Sequence, residues 1–252
     1  MNAASSKGNG EATDYPPSPL RIRGGKNSNL TQELMLKSGD TIVAVNGISW
    51  MKLACVARAV KALLERPDFP VVLTVKRGAH LFDVITATEI RNEASRLSPE
   101  RAEMFKDVRL SPPSRNPRSL GNFAIYADLK GTADIIDLRM SLMAMVLPPL
   151  WFVSRRLWDA LGAIACVLIT AFVINLTFGL IIYVAMCLYV GRKQVPLIQS
   201  AMHRQGMYKV FVLAAPSEAA AQKVANQLYS QLNFRFSHPD ANTAGAVDIG
   251  LI

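Results

Sequence analysis

The stretch SGDTIVAVNGIS, residues 38–49, indicates how the first half of the chain folds. Its central part, TIVAV at 41–45, is apolar and rich in β-branched side chains, and it predicts a strand. Asn46 and Gly47 follow directly and predict a tight turn, because both residues tolerate positive φ. The hydroxyl of Ser49 can then cap a helix.

A helix and two strands are predicted to come next. Apolar residues that recur at helical spacing give this helix one apolar face. The residues of that face are Leu53, Val56, Ala57, Val60 and Leu64. Residues 71–87 then predict two strands joined around Gly78. Together with a short strand that begins near residue 20, these elements predict a small α+β domain over residues 19–88.

The segments around this domain are predicted to contain less regular structure. Residues 1–18 are polar and rich in Gly, Ser and Pro, and they predict a disordered tail. Residues 89–121 predict a charged helix over 89–107 and then a linker rich in Pro, Ser and Arg. Residues 237–252 predict a loose tail, which leaves residues 122–236 as the second domain.

No charged residue occurs from Ala160 to Gly191, and this run predicts a membrane segment. As one helix the run would be about 48 Å long, whereas the hydrocarbon core of a bilayer is about 30 Å thick. The favoured prediction is a hairpin with its spans within residues 157–191, about 16 residues in each leg, that turns near Asn175. One long, strongly tilted span is the alternative.

Basic residues flank the run on both sides. Arg155 and Arg156 precede it, and Arg192 and Lys193 follow it. A hairpin places both pairs on the cytoplasmic side of a membrane, in agreement with the positive-inside bias. These four residues are therefore predicted to contact anionic lipid headgroups.

Residues 140–158 are predicted to lie in the membrane interface, with a kink at Pro148 and Pro149. Trp151 and Trp158 are seven residues apart, which places them on one face of a helix. The indole ring favours the headgroup level, so both are predicted interface residues. The alternative is a segment that packs against the hairpin inside the protein.

The second domain is also predicted to contain strands and a terminal helix. NFAIYADL at 122–129 and YKVFVLAA at 208–215 predict strands. Ser217 is expected to cap a helix over 218–232. The predicted fold class is therefore α+β, with a truncated domain followed by a helical membrane hairpin and a small strand–helix tail.

Charge and motifs limit the classes of function. The formal net charge is +9 and the pI is about 9.7. Because the positive residues cluster beside the apolar run, they favour anionic lipid over nucleic acid as a partner. The three cysteines lack metal-site spacing, and HExxH, GxSxG and P-loop motifs are absent from the sequence. We therefore predict no enzymatic activity, no cofactor and no metal.

Residues 34–78 resemble the second half of a PDZ domain. The residues that carry the resemblance are Gly39, Asp40, Asn46 and Gly47. The resemblance implies that the C-terminal tail of a partner protein adds as a strand beside the predicted helix, against its apolar face. The second strand and carboxylate loop of a PDZ domain would lie upstream of residue 19, where this sequence is polar. A domain used for packing, or for contact within a homo-oligomer, is the alternative.

Residues 123–227 resemble a family of small bacterial inner-membrane proteins of unknown function. The shared features are a strand (AIYADL), a Pro-Leu-Trp box with a basic pair (LPPLWFVSRRLW), paired spans and a strand–helix end. With the basic flanks, the resemblance implies a multi-pass protein of the bacterial inner membrane whose termini are both cytoplasmic.

Two hypotheses of function follow from these features. The first is a membrane-anchored adaptor whose PDZ-like head binds a protein partner in the cytoplasm. The second is a small transport or lipid-handling subunit, because Asn175 and Thr177 are polar residues within an apolar run. In that case the head serves only for packing or oligomerisation.

Overall fold

The structure, a computed structural model, describes residues 17–24, 29–66, 70–90, 93–108, 110 and 117–236. The predicted loose tail, most of the predicted N-terminal tail and the centre of the predicted linker lie outside these residues. Within them the chain is a mixed α+β protein with two largely antiparallel sheets, which confirms the coarse fold class.

The first sheet contains six strands in the order β5-β4-β2-β1-β6, with β3 paired to β2 on the side. Its strands are β1 (Leu20–Ile22), β2 (Thr41–Val45), β3 (Ile48–Ser49), β4 (Val71–Arg77), β5 (His80–Thr86) and β6 (Ala94–Arg96). The predicted tight turn is present, with φ of 48° at Asn46 and 77° at Gly47. The Asn46 side chain also accepts a hydrogen bond from the backbone N–H of Val72 at 2.7 Å, so the turn is fixed to β4.

Three helices accompany this sheet: α1 (Asn29–Glu33), α2 (Val56–Leu64) and α3 (Pro99–Glu103). The helix predicted over 89–107 is present only in part: β6 pairs with β1 in the first half of that range, and α3 begins at Pro99, where a split of the helix is predicted. Pairing along the sheet edge replaces local helix propensity here. Ser49 also differs from expectation, since it caps the short 3₁₀ helix Trp50–Lys52 rather than α2.

The second sheet has the strand order β10-β8-β7-β9. Its strands are β7 (Gly121–Ala127), β8 (Thr132–Asp137), β9 (Tyr208–Ala215) and β10 (Asn233–Phe234). Helix α8 (Glu218–Leu228) packs on it, and the Ser217 hydroxyl accepts from the Ala220 N–H as predicted. The helix is shorter than expected, ending at Leu228. Strand β8 was not predicted.

The two sheets share one continuous apolar core. Strand β5 is connected to β7 by the side chain of Asn122, whose amide accepts from the Ile85 N–H at 2.9 Å and donates to the Ile85 carbonyl at 2.8 Å. In a second connection, the Tyr229 hydroxyl accepts from Lys37 at 2.9 Å and from Arg77 at 3.3 Å. These hydrogen bonds connect the part of the chain that contains the first sheet to the part that contains the second.

Between β8 and β9 the chain forms four consecutive helices. They are α4 (Leu142–Val146), α5 (Pro148–Ser154), α6 (Trp158–Ile174) and α7 (Leu176–Arg204). A single extended residue, Asn175 (φ −163°, ψ 134°), separates α6 from α7. Cys166 on α6 and Ile182 on α7 line the same cleft, so the chain reverses direction at Asn175. We call residues 158–191 the helical hairpin.

Candidate functional site: an exposed apolar hairpin and an open sheet edge

The helical hairpin presents its apolar side chains outward. Most of the large exposed hydrophobic residues described in this protein lie in the hairpin or in α4 and α5. Those of the hairpin are Trp158, Val167, Ile169, Phe172, Val173, Ile174, Leu176, Phe178, Leu180, Ile181, Val184, Leu188 and Tyr189. By length and composition α7 is long and apolar enough to cross a membrane, and α6 is a shorter apolar helix. Soluble proteins rarely expose so large a contiguous apolar surface.

The two legs meet closely at the tip. A Cβ atom at Gly179 would overlap the ring of Phe172, so glycine allows α7 to approach α6 directly after the reversal. The Asn175 side chain accepts from the Thr177 N–H at 2.7 Å and from the Phe178 N–H at 3.4 Å. Asn175 thus acts as the N-cap of α7.

This use of Asn175 bears on the transport hypothesis. That hypothesis rests on Asn175 and Thr177 as polar residues within the apolar run. In the structure both contribute to one helix cap: the Asn175 side chain accepts and the Thr177 backbone donates. The Asn175 side chain therefore has a structural role as a helix cap.

The base of the hairpin rests on the second sheet. Leu157 and Ile198 line a cavity of about 310 Å³ together with Asp134 of β8 and Glu218 of α8. Ile198 and Leu157 are also buried in the common core. Leu157 precedes the hairpin and Ile198 follows it, so both ends of the hairpin lie beside the second sheet. The tip, at Asn175, is at the opposite end.

Helices α4 and α5 pack against α7, and the contacts of α4 extend from the base of the hairpin to the middle of the apolar part of α7. The Ser141 N–H donates to the buried Gln194 side chain at 3.0 Å, and the Tyr183 hydroxyl donates to the Val146 carbonyl at 2.9 Å. A Cβ at Gly191 would lie 2.9 Å from Met145, so glycine permits this approach. Parts of α4 and α5 remain exposed and apolar, at Leu142, Val146, Leu150 and Val153. Helices α4 and α5 thus pack on the hairpin with one side and expose apolar side chains on the other.

The two predicted interface tryptophans point in different directions. Trp151 is only 1% exposed and its ring packs edge-on against Phe152 at 5.2 Å, whereas Trp158 is 60% exposed. The expectation of one shared helical face is wrong, because α5 ends at Ser154 and α6 begins only at Trp158. For Trp151, packing inside the protein is therefore the observed arrangement.

The four predicted headgroup residues all lie near the base of the hairpin. Arg156, Arg192 and Lys193 are exposed, and Arg155 is partly exposed. The Arg156 guanidinium lies over the ring of Phe236, 4.9 Å from its centre. Lys193 has non-helical backbone angles and marks a kink in α7. Positive charge therefore collects where the apolar surface ends.

The predicted peptide-binding face of α2 is only partly available at the surface. Val56 and Val60 are buried in the core beneath the sheet. The remaining members of the face, Leu53, Ala57 and Leu64, are partly exposed and pack against that core. Two of the five residues are therefore committed to packing.

The residues that carry the PDZ resemblance also have structural roles. Asp40 is buried and forms an ion pair with Arg77 at 2.6 Å, and it accepts from the Lys37 N–H at 2.8 Å. Burial alone would lower the pKa of Arg77, but the hydrogen bond and the charge of Asp40 raise it. Gly39 has φ of 99°, a conformation that favours glycine.

Strand β6 is the neighbour of β1 in the first sheet, and it comes from an unexpected part of the chain. The neighbour of β1 was expected upstream of residue 19, but it comes from downstream, in the register Leu20↔Arg96 and Ile22↔Ala94. The Arg96 side chain donates to Cys55 Sγ at 3.2 Å, at the start of α2. Strand β6 is the last strand of its sheet, and no other described strand pairs with its far side.

An apolar cleft of about 580 Å³ adjoins the end of β6. It lies between the 3₁₀ helix, β6 and α3, and its lining includes Trp50, Met51, Leu97, Ala102, Glu103 and Lys106. The Trp50 indole N–H donates to the Phe105 carbonyl at 3.4 Å, which orients the ring that forms one wall. The cleft was not predicted, because β6, which forms one of its walls, is held by pairing with the distant strand β1.

Among the residues that the structure describes, no group of three or more His, Cys, Asp or Glu side chains is placed to hold a metal ion. In comparisons with protein-family models, with curated proteins and with solved structures, no match to this chain was found. The fold and the site together define an α+β protein with two joined sheets and an exposed apolar helical hairpin.

Proposed function

We propose that this protein is a membrane-anchored adaptor, with the helical hairpin in a bilayer and the sheets on its cytoplasmic side, where the first sheet binds an extended peptide of a partner protein. One observation carries the proposal. The hairpin exposes apolar side chains along both legs, and its charged flanks lie at the end that rests on the sheets.

Insertion in a bilayer explains the exposed surface. Removal of apolar surface from water lowers the free energy of the system by roughly 25 cal/mol per Å² of area. The hairpin legs contain no charged residue after Asp159, so insertion does not require an ionised group to lose its water. The exposed apolar side of α4 and α5 then lies at the interface, beside the base.

Charge favours one orientation. Arg156, Arg192 and Lys193 are exposed at the base, where anionic lipid headgroups would neutralise them. Because basic residues are retained on the cytoplasmic side, the sheets face the cytoplasm. The resemblance to small bacterial inner-membrane proteins suggests that the membrane is the bacterial inner membrane.

Strand β6 and its cleft support peptide binding. Sheet edges accept an added strand through backbone hydrogen bonds, and neighbouring pockets select side chains. In antiparallel pairing the bonded residues alternate. The Arg23 backbone N–H donates to the Glu93 carbonyl. The N–H and C=O groups of the next residue, Ala94, therefore point away from β1. An added strand on this side would end beside the apolar cleft, which suits an apolar side chain.

Membrane fractionation tests the anchor. The full chain is expressed in a bacterium, and its membranes are washed with alkaline carbonate. We expect the chain to stay in the membrane pellet and to require detergent for release. Its appearance in the soluble fraction in monomeric form would contradict the proposal.

Peptide selection tests the adaptor role. Full-length protein in lipid nanodiscs is used to select extended peptides from a displayed library. We expect Ala94→Pro, which removes an edge N–H, to reduce binding of the selected peptides at least tenfold. Ala94→Val keeps that N–H and is the matched control. Met51→Glu, which places a charge in the cleft, should also reduce binding. Self-association without peptide binding would instead support a homo-oligomer contact.

A further inference from the structure

We infer that the tip of the helical hairpin remains inside the bilayer, among the acyl chains of the far leaflet, and does not emerge on the other side. The inference rests on the proposed insertion of the hairpin. Its partner is therefore the hydrocarbon of the far leaflet, and the protein presents no segment between α6 and α7 to the far aqueous phase.

The lengths of the two legs are the first argument. Helix α6 has 17 residues, which corresponds to about 26 Å at the usual rise per residue. The apolar part of α7, residues 176–191, corresponds to about 24 Å. A hydrocarbon core is about 30 Å thick. With the base held at one interface by its basic residues, the tip ends a few ångströms before the other.

The side chains at the tip are the second argument. Val173, Ile174 and Leu176 are 81%, 69% and 68% exposed, so they contact little of the protein. No charged or aromatic-amphipathic residue lies beside them between 170 and 182. A segment that emerged would bring these three apolar side chains to the headgroups or into water. Acyl chains are the environment that matches them.

The backbone at the tip is the third argument. Exposed N–H and C=O groups are costly in hydrocarbon, so hydrogen bonds formed within the reversal favour a position there. Here only Asn175 departs from helical geometry, and its side chain accepts from the Thr177 and Phe178 amides. Its own N–H donates to the Ala171 carbonyl at 3.1 Å, and its carbonyl accepts from the Gly179 N–H at 2.9 Å.

Cysteine accessibility tests the position of the tip. Cys55, Cys166 and Cys187 are replaced by alanine in the full chain, and Val173→Cys or Leu129→Cys is added. Leu129 is 97% exposed in the turn between β7 and β8, so it is the control on the sheet side. Labelling uses a membrane-impermeant maleimide on intact cells, on inside-out vesicles and on detergent-solubilised membranes.

We expect Val173→Cys to be labelled only after detergent is added, and Leu129→Cys to be labelled already in inside-out vesicles. Labelling of Val173→Cys in intact cells would mean that the tip emerges, and would overturn the inference. Labelling of that variant in inside-out vesicles without detergent would overturn it as well.

A charge at the tip provides a second test. Asn175→Asp keeps an acceptor for the helix cap but adds a carboxylate, whereas Asn175→Ser keeps a cap without charge. We expect Asn175→Asp to lower the membrane-integrated fraction several-fold and Asn175→Ser to leave it unchanged. Equal integration of the two variants would overturn the inference. If the unsubstituted chain is not membrane-integrated at all, the proposed function itself fails, which is a separate outcome.

Discussion

Arg156 adopts a backbone conformation that residues other than glycine rarely take, with φ of 56°. A non-glycine residue in this left-handed conformation lowers the free energy of unfolding by about 1–2 kcal/mol. The turn it makes separates α5 from α6, so that Trp151 points inward and Trp158 outward. Its guanidinium lies over the Phe236 ring, and this cation–π contact offsets part of the cost.

Residue roles were predictable where the signal is local. Asn46 and Gly47 form the expected turn, and Ser217 caps the expected helix, because each depends on a few adjacent backbone groups. The direction of Trp151 was not predictable. It depends on the positive φ of Arg156, and nothing in the sequence indicates that an arginine takes this conformation.

Asp134 provides a prediction of pH dependence. This half-buried carboxyl lies in the cavity at the base of the hairpin, 3.9 Å from Arg235. Burial raises its pKa, and the charges of Arg235 and Arg156 counteract that rise only in part. The folded protein therefore holds this proton more tightly than the unfolded chain. Its contribution to stability falls as the pH rises from the ordinary Asp value through the raised one.

We expect Asp134→Asn to increase the stability of the folded protein at neutral pH and to flatten this acidic part of the pH profile. The measurement is urea unfolding of the full chain in detergent micelles between pH 4 and pH 8, with about ±0.3 kcal/mol needed to resolve a change of this kind. Arg235→Met, which removes a favourable charge, should steepen the profile. A profile unchanged by Asp134→Asn would contradict the prediction.

At the scale of elements, α7 is divided into two parts with different surroundings. Pro196 lacks an N–H and its ring clashes with the carbonyl four residues earlier, which explains the non-helical angles at Lys193. The part before the kink is exposed and apolar, whereas Ile198 and Met202 after it are buried in the core. One helix thus belongs both to the hairpin and to the base on which it rests.

Elements with a strong internal pattern were predicted from the sequence. Strand β9 has the predicted limits, and the reversal of the hairpin falls at the predicted Asn175. Strands β6 and β8 were missed because neither has an alternating apolar pattern. Strand β6 is held by pairing with the distant β1, whereas β8 pairs with β7, the strand directly before it. The apolar cleft was missed for the same reason, since β6 forms one of its walls.

The connection between β5 and β7 provides a prediction at this scale. The Asn122 amide bonds both backbone groups of Ile85, as a neighbouring strand would. Asn122→Ala leaves both groups without that partner, and we expect a loss of about 1–3 kcal/mol of unfolding free energy. Asn122→Asp keeps the acceptor for the Ile85 N–H but not the donor to the Ile85 carbonyl. Its loss of unfolding free energy should therefore differ from the loss in Asn122→Ala. Urea unfolding in micelles measures both, and a change below about 0.5 kcal/mol for alanine would contradict the role.

At the scale of the whole molecule, the sheets and the hairpin form one structure through a common core. The base of the hairpin rests on β8 and α8, and the second sheet is joined to the first. If the hairpin is anchored as proposed, the edge of β6 is held in a defined position relative to the membrane. The apolar run predicted the apolar helices of the hairpin from sequence alone, because that signal depends on composition. The joining of the sheets was not predictable, because it depends on single side chains far apart in the chain.

Tyr229 offers the clearest test of this joining. Its hydroxyl accepts from Lys37, which lies between α1 and β2, and from Arg77 of β4, while its ring lies 5.1 Å from that of Phe211 on β9. Tyr229→Phe keeps the ring and removes the hydroxyl acceptor. We expect it to lower the free energy of unfolding by about 1–2 kcal/mol. Tyr208→Phe removes a hydroxyl from an exposed tyrosine of β9 and is the matched control.

The double variant Tyr229→Phe with Lys37→Met separates the joining contact from a general loss of stability. If the hydroxyl acts through Lys37, the two losses should fall short of additivity by about 0.5 kcal/mol or more. Urea unfolding of the full chain in micelles, followed by tryptophan fluorescence, measures each variant. Trp50 reports on the first sheet and Trp151 on the base of the hairpin, so weaker joining should broaden the single transition. Strict additivity, together with a Tyr229→Phe loss no larger than that of Tyr208→Phe, would mean that the Tyr229 hydroxyl does not help to hold the two sheets together.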